Sequence, residues 1–114
     1  MENKVTILIV DDVVVNRFLI KEILRDYSNV VIQEADNGLD AISLSESSDI
    51  VLMDIMMPIM NGVEATKIIK EIFPEKLVIT VTGSIPDTEF NEIFNDVIYK
   101  PFTNKKIHKI LVNQ

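Results

Sequence analysis

Short apolar runs alternate along this chain with segments in which apolar residues recur every three or four positions. The first run, Val5-Thr6-Ile7-Leu8-Ile9-Val10, is β-branched and apolar at nearly every position, as a strand buried on both faces should be. Ile50-Val51-Leu52-Met53 and Leu77-Val78-Ile79-Thr80-Val81 read the same way. Val30-Val31-Ile32 and Val97-Ile98-Tyr99 are shorter and suit strands nearer the sheet edges. Between the runs lie helical patterns. Val15, Leu19 and Ile23 recur at four-residue spacing, with Ile20 and Leu24 widening the stripe. Asn37-Gly38 opens a second helix that runs through Leu44. Asn61-Gly62 caps a third, whose stripe is Ala65, Ile69 and Ile72. Phe90, Ile93 and Phe94 mark a short fourth between Asp87 and Asn95, and Ile107, Ile110 and Leu111 a fifth, with Thr103 as its cap.

Five strands and five helices in strict alternation predict an α/β fold. The strands are parallel, the crossovers right-handed, and helices cover both faces of a doubly wound sheet. Ligands in such folds bind outside the carboxyl ends of the strands. The residues there are chemically capable: Asp11-Asp12 after the first strand, Asp54 after the third, Thr82-Gly83 after the fourth and Lys100-Pro101 after the fifth. Three carboxylates crowded on one edge repel unless something positive sits among them. A hard divalent cation satisfies that need, and magnesium prefers oxygen ligands, carboxylates together with water and phosphate oxygens. The Lys100 ammonium and the Thr82 hydroxyl complete a site suited to a tetrahedral dianion. No single one of these residues is decisive; their convergence from four strand ends is.

Composition narrows the reading. The 114 residues suit one domain, residues 1–114, and 47% hydrophobic content argues against disorder. Eighteen acids against 11 bases give a formal charge of −7, unfavourable for direct contact with nucleic acid. Eight of the acids fall between Asp26 and Thr66, where there is no Lys or Arg; most of them read as a solvated face. No cysteine is available for a disulfide, a zinc site or a thiol nucleophile, which is compatible with a cytoplasmic location. The apolar run at Val5 is too short for a signal peptide, and no uncharged stretch approaches the ~18 residues needed to span a membrane. The lone His108 sits in the last helix, away from the strand ends, and takes no role. The Lys105-Lys106-His108-Lys109 cluster reads as a complement to the C-terminal end of that helix's dipole.

The segments Ile7-Leu8-Ile9-Val10-Asp11-Asp12, Ala35-Asp36-Asn37-Gly38, Met53-Asp54-Ile55-Met56-Met57-Pro58-Ile59-Met60-Asn61-Gly62, Thr82-Gly83 and Lys100-Pro101-Phe102 resemble the receiver domains of two-component response regulators. The resemblance runs from Ile7 to Leu111. It implies a flavodoxin-like three-layer α/β/α fold with strand order 2-1-3-4-5, which is carried over and not read from the pattern. It further implies that Asp54 accepts a phosphoryl group, with Asp12, Asp54 and the backbone carbonyl of Met56 as direct magnesium ligands and Asp11 acting through a bound water. Thr82 and Lys100 would bind phosphoryl oxygens. The donor would be a phosphohistidine on a histidine kinase or a histidine phosphotransfer protein. A dianion at Asp54 would draw Thr82 and Lys100 inward and bias the surface formed by the fourth helix, the fifth strand and the fifth helix. The chain would not be an enzyme beyond its own phosphoryl transfer and slow autodephosphorylation, and would act as a monomer or weak dimer without touching a membrane.

The chain departs from the family in places. The aromatic usual three residues before the lysine is Val97 here; either Tyr99, on the same face of the strand, substitutes in part, or the output surface works without an aromatic rotor and Tyr99 simply packs against the last helix. The stretch from Thr82 to Lys100 is short and has Asn95-Asp96 where a glycine is common, so the fourth helix holds only about two turns. Met56 and Ser84 occupy positions that tune hydrolysis in the family; neither orients a water strongly, implying a long-lived phosphoryl group. Lys100-Pro101 is expected to be cis. The Asp11–Leu24 segment, with Asn16-Arg17, is more similar to receivers of hybrid histidine kinases and phosphorelays.

Other classes fit less well. A haloacid-dehalogenase-type phosphatase needs a second Asp two residues after its nucleophile, where Met56 stands. A flavodoxin-like electron carrier needs a Ser/Thr/Gly-rich phosphate loop, which Asp12-Val13-Val14-Val15 cannot form. A degenerate receiver, acting as an interaction module without phosphorylation, would not need all five site residues.

Overall fold

Five parallel strands, β1 (Val5–Val10), β2 (Val30–Ala35), β3 (Ile50–Met53), β4 (Leu77–Thr82) and β5 (Asp96–Tyr99), form one sheet in the order β2-β1-β3-β4-β5. The structure, a computed structural model, describes residues 3–83 and 92–112. Four helices are complete among these: α1 (Val14–Leu24), α2 (Gly38–Ser45), α3 (Gly62–Ile72) and the C-terminal α4 (Asn104–Leu111). The helix expected between Asp87 and Asn95 falls mainly outside the described residues; Glu92 and Ile93 are helical. The α4 of this structure is therefore the fifth helix of the sequence reading.

The period of two along each strand divides the core. Ile7 and Ile9 of β1, Ile50 and Leu52 of β3, Ile79 and Val81 of β4 and Ile98 of β5 face Ile20 and Leu24 of α1 and Ile107 and Ile110 of α4. Leu8, Val10, Val51, Met53 and Val78 face the other way, against Ala41 of α2, Val63, Ala65 and Ile69 of α3, and Phe94. The central strand β3 is buried at all four positions, which is why Ile50–Met53 is apolar without alternation. Each such aliphatic side chain contributes about 1.5–3 kcal/mol relative to exposure.

The edges are where pattern and structure differ. β2 runs on to Ala35 through Gln33 and Glu34, because an edge strand tolerates polar residues. In α1 the side facing the sheet is Ile20 and Leu24, while Val15 and Leu19 are 58% and 54% exposed, so the apolar stripe is displaced from the one that four-residue spacing indicates. The helix caps follow the expected chemistry. Asn37, Asn61 and Thr103 each accept a hydrogen bond from the backbone N–H three residues on. Of the basic cluster in α4, only His108 and Lys109 lie in the last turn. Lys106 lies nearer the helix start and donates instead to the carbonyls of Tyr99 and Pro101.

Thr80 is fully buried in β4, and its hydroxyl has no hydrogen-bond partner among the described residues. A buried hydroxyl without a partner carries its desolvation cost uncompensated. Thr80→Val, which keeps the shape, is expected to raise stability by about 1 kcal/mol. The measurement is the urea midpoint at unchanged m-value, and a lowered midpoint would contradict it.

Candidate functional site

Register brings the acids together. Val10 pairs with Met53, so the next residues, Asp11 and Asp54, leave the sheet side by side. The N–H of Asp54 donates to the Val10 carbonyl at 2.9 Å, continuing the ladder one step past the strand end. The carboxylates of Asp11, Asp12 and Asp54 offer oxygens that all lie within 4.8 Å of one another. Asp11 is 3% exposed, Asp54 is half-buried and Asp12 faces solvent.

The cation and the hydroxyl arrive from the neighbouring strand ends. Lys100 follows β5, and its Nζ stands 3.9 Å from Asp11 Oδ2. Its N–H donates to the Thr82 carbonyl at 2.7 Å, which ties the end of β5 to the end of β4. Thr82 is buried and closes β4 one position beyond the level of Asp54. The Lys100-Pro101 peptide is cis, as expected. Met56 lies in the loop after Asp54 with its side chain 80% exposed. Ser84 lies outside the described residues. Val97 is half-buried in β5, and Tyr99 pairs with Thr82 and remains 43% exposed, so it is not part of the packing beneath α4.

Electrostatics follow from this crowding. The Asp54 carboxyl is raised from its ordinary 3.8 to about 6. Burial is the main cause and Asp11 adds to it; Lys100 and the Ile55 N–H oppose the shift, and Asp12 reinforces it weakly. At pH 7 the group is still mainly ionised and can act as a nucleophile. The donors are all oxygen and the charge is strongly negative, which suits a hard divalent ion better than a soft one.

Two further residues build the site. Gly62 was legible as part of a cap, yet its larger role is spatial. A Cβ there would stand 2.0 Å from the Asp54 carbonyl oxygen and 2.9 Å from Met53 Cγ. The N–H of Gly62 donates to the Ile55 carbonyl at 2.9 Å, closing the loop that follows Asp54. Within that loop Ile59 has φ 70°, and the Met60 N–H donates to the Pro58 carbonyl across it. A β-branched residue at such an angle is strained. The second residue is Arg17, which donates from Nη1 to the Asp11 carbonyl at 2.7 Å. Nothing in helical periodicity reveals that contact.

Comparison with known proteins agrees with this geometry. Residues 7–112 match the response regulator receiver domain family. The chain belongs to the response regulator receiver domains. It is 38% identical over 112 residues to the transcription factor SKN7 of Saccharomyces cerevisiae, covering 93% of this chain and 18% of that protein. It is 36% identical over 107 residues to the chemotaxis protein CheY of Bacillus subtilis, covering 89% of each. The receiver domain of sensor histidine kinase PA1611 from Pseudomonas aeruginosa superposes with a TM-score of 0.86 at 25% identity, covering 96% of both chains. That structure has a magnesium ion coordinated in its active site cleft. The receiver thus spans less than a fifth of some relatives and most of others. Among the described residues, no helix is long and apolar enough to cross a membrane.

Two predictions follow from the packing and charge of this receiver. Gly62→Ala is expected to cost several kcal/mol, on the order of 3, because the added methyl meets the Asp54 backbone and the Met53 side chain. Chemical denaturation measures it, and a loss below about 0.5 kcal/mol, the range of neutral surface changes, would contradict the close approach. The second concerns pH. Asp54 binds its proton more tightly folded than unfolded, so its contribution favours folding at low pH and is lost as pH rises through about 6. Without metal, Asp54→Asn is expected to be more stable than the natural chain at pH 7 by about 1–2 kcal/mol, allowing for solvent screening. The gap should close below about pH 4, and a gap independent of pH would refute it.

Proposed function

We propose that this receiver takes a phosphoryl group from a phosphohistidine onto Asp54 in a two-component or phosphorelay system. The observation that carries the reading is the convergence of three carboxylates within 4.8 Å, with the Lys100 ammonium 3.9 Å from Asp11. A carboxylate oxygen of Asp54 attacks phosphorus, the P–O bond forms as the P–N bond of the donor breaks, and the imidazole leaves with the electron pair. Such transfer needs positioning and charge neutralisation more than covalent help. Lys100 and Thr82 accordingly bind phosphoryl oxygens. Asp12, Asp54 and the Met56 carbonyl would hold Mg2+ directly, with Asp11 acting through water. When bound, the ion offsets carboxylate repulsion and the charge of the incoming phosphoryl group.

The surroundings support a protein donor. Beside the site, Val14, Val15, Phe18 and Leu19 on α1 are each at least half exposed. A groove of about 510 Å³ lies between α1 and the Lys100–Phe102 segment, lined by Leu19, Ile20, Ile23, Val81 and Pro101 among others. Exposed apolar area of this kind marks a contact surface. A histidine kinase or a histidine phosphotransfer protein is the partner that carries phosphohistidine. The chain has no other catalytic role. Its output is a change at the surface of the segment after β4, β5 and α4, and its location is the cytoplasm. The lifetime of the acyl phosphate is long, since the Met56 side chain cannot orient a hydrolytic water.

Incubation with acetyl phosphate and magnesium is expected to add one phosphoryl group, seen by intact mass, and Asp54→Asn to remain unmodified. Unmodified natural protein, or equal labelling of Asp54→Asn, would overturn the assignment. The label should persist for more than a minute in magnesium without a phosphatase; loss within seconds would refute the long lifetime.

A further inference from the structure

The turn from β1 into α1 carries Asp11 and Asp12, yet nothing in α1 caps it. Val13 is the N-cap residue and makes no side-chain cap bond, and the first turn has no acid. The turn is closed through Asp11 instead. Its Oδ1 accepts from the Val13 N–H at 2.9 Å, and its backbone carbonyl accepts from Arg17 Nη1 at 2.7 Å. The Asp11 N–H donates to the Ala35 carbonyl at 3.1 Å. Arg17 is itself anchored: its Nε donates to Glu34 Oε1 on β2 at 3.0 Å, and Lys21 Nζ donates to the other oxygen of Glu34 at 3.0 Å. The Arg17 side chain is only 16% exposed, unlike the 71% of Arg25, the C-cap residue of the same helix. Glu34 reflects the arrangement. Burial pushes its carboxyl up, but hydrogen bonds and charge from Lys21 and Arg17 outweigh it and hold the group below its ordinary value.

We propose that Arg17 is a positioning residue for the carboxylate site, fixing the Asp11 carbonyl and through it the placement of Asp11 and Asp12 as a magnesium-binding pair. The inference rests on reading these acids as a magnesium site. One carboxylate oxygen of Asp11, Oδ1, accepts from Val13, while the other, Oδ2, stands 3.9 Å from Lys100 Nζ. Freed from Arg17, the turn loses the bond that keeps this orientation while Asp12 stands in solvent. Outer contacts that orient ligands of a metal contribute to its affinity without touching it. Lysine at this position could reach the carbonyl or Glu34 but not form both bonds in the fixed fork of a guanidinium.

The test is NMR on the full chain at pH 7, reading the Mg2+ dissociation constant and, without metal, the hydrogen exchange of the Val13 amide. Arg17→Met is expected to weaken Mg2+ binding about tenfold and to speed Val13 exchange, with Arg17→Lys recovering part of both. Arg25→Met, which removes a charge and an exposed ion pair at the C-terminal end of the same helix, should match the natural chain. An unchanged dissociation constant and unchanged exchange in Arg17→Met would overturn the proposal. So would equal weakening in Arg25→Met, which would assign the effect to charge at a distance. If Arg17→Met does not fold, Glu34→Gln, which loosens the anchor only, should give the same two changes at smaller amplitude, and no change there overturns it. If the natural chain binds no Mg2+, the magnesium reading fails and Val13 exchange alone decides: faster exchange supports the positioning role, and unchanged exchange refutes it.

Discussion

The carboxylates of Asp11, Asp12 and Asp54 meet because the strands that carry Asp11 and Asp54 are hydrogen-bonded neighbours in register, and the meeting is electrostatically unfavourable. Burial of Asp54 and the charges of Asp11 and Asp12 beside it raise its proton affinity. What keeps them together is the apolar sheet beneath. Ile7 to Val10 and Ile50 to Met53 are each at most 1% exposed, so neither strand can shift to relieve the repulsion without opening a core face. Stability supplied by packing is thereby held as unfavourable charge at one edge, where function can draw on it.

That edge is built from backbone as much as from side chains. The Asp54 N–H on Val10 and the Lys100 N–H on Thr82 extend the sheet's hydrogen bonding past the strand ends, and the Gly62 N–H on Ile55 closes the loop between β3 and α3. Each prolongs order into loops that would otherwise be loosely held. Gly62 lets α3 begin directly against Asp54, and the strained Ile59 is the counterpart of that tight return. The acceptor is therefore clamped from the sheet on one side and from a helix start on the other.

Much of this was legible in the amino-acid sequence, and the remainder has physical reasons. The strand from Val5 to Val10 was readable to the residue, because a strand buried on both faces is apolar throughout. The end of β2 was not, since Gln33 and Glu34 on an edge strand look like loop. The facing side of α1 is hard to read because Val15 and Leu19 form one apolar stripe and Ile20 and Leu24 another, and periodicity cannot choose between two stripes when both are apolar. Asp11, Asp12, Asp54 and Lys100 were readable from their places after strands, and the geometry brings them together. Arg17 was not, because a side chain that holds a distant carbonyl leaves no trace in spacing or composition.

The winding of the sheet also turns a bias along the chain into one across space. Between Asp26 and Thr66 there are eight acids and no Lys or Arg, and Asp36, Asp40 and Glu46 follow or flank β2 and α2 at one margin of the sheet. Lys105, Lys106 and Lys109 lie on α4, which has no acid and follows β5 at the opposite margin. Among the described residues, charge is consequently uneven across the strands, only partly evened by Arg17 and Lys21 beside Glu34 on β2 and by Asp96 in β5. A charged macromolecule approaching from solution exerts a torque on such a body before any contact forms, so the domain arrives already rotated. Orientation of this kind acts on the rate of encounter and fades as ionic strength rises.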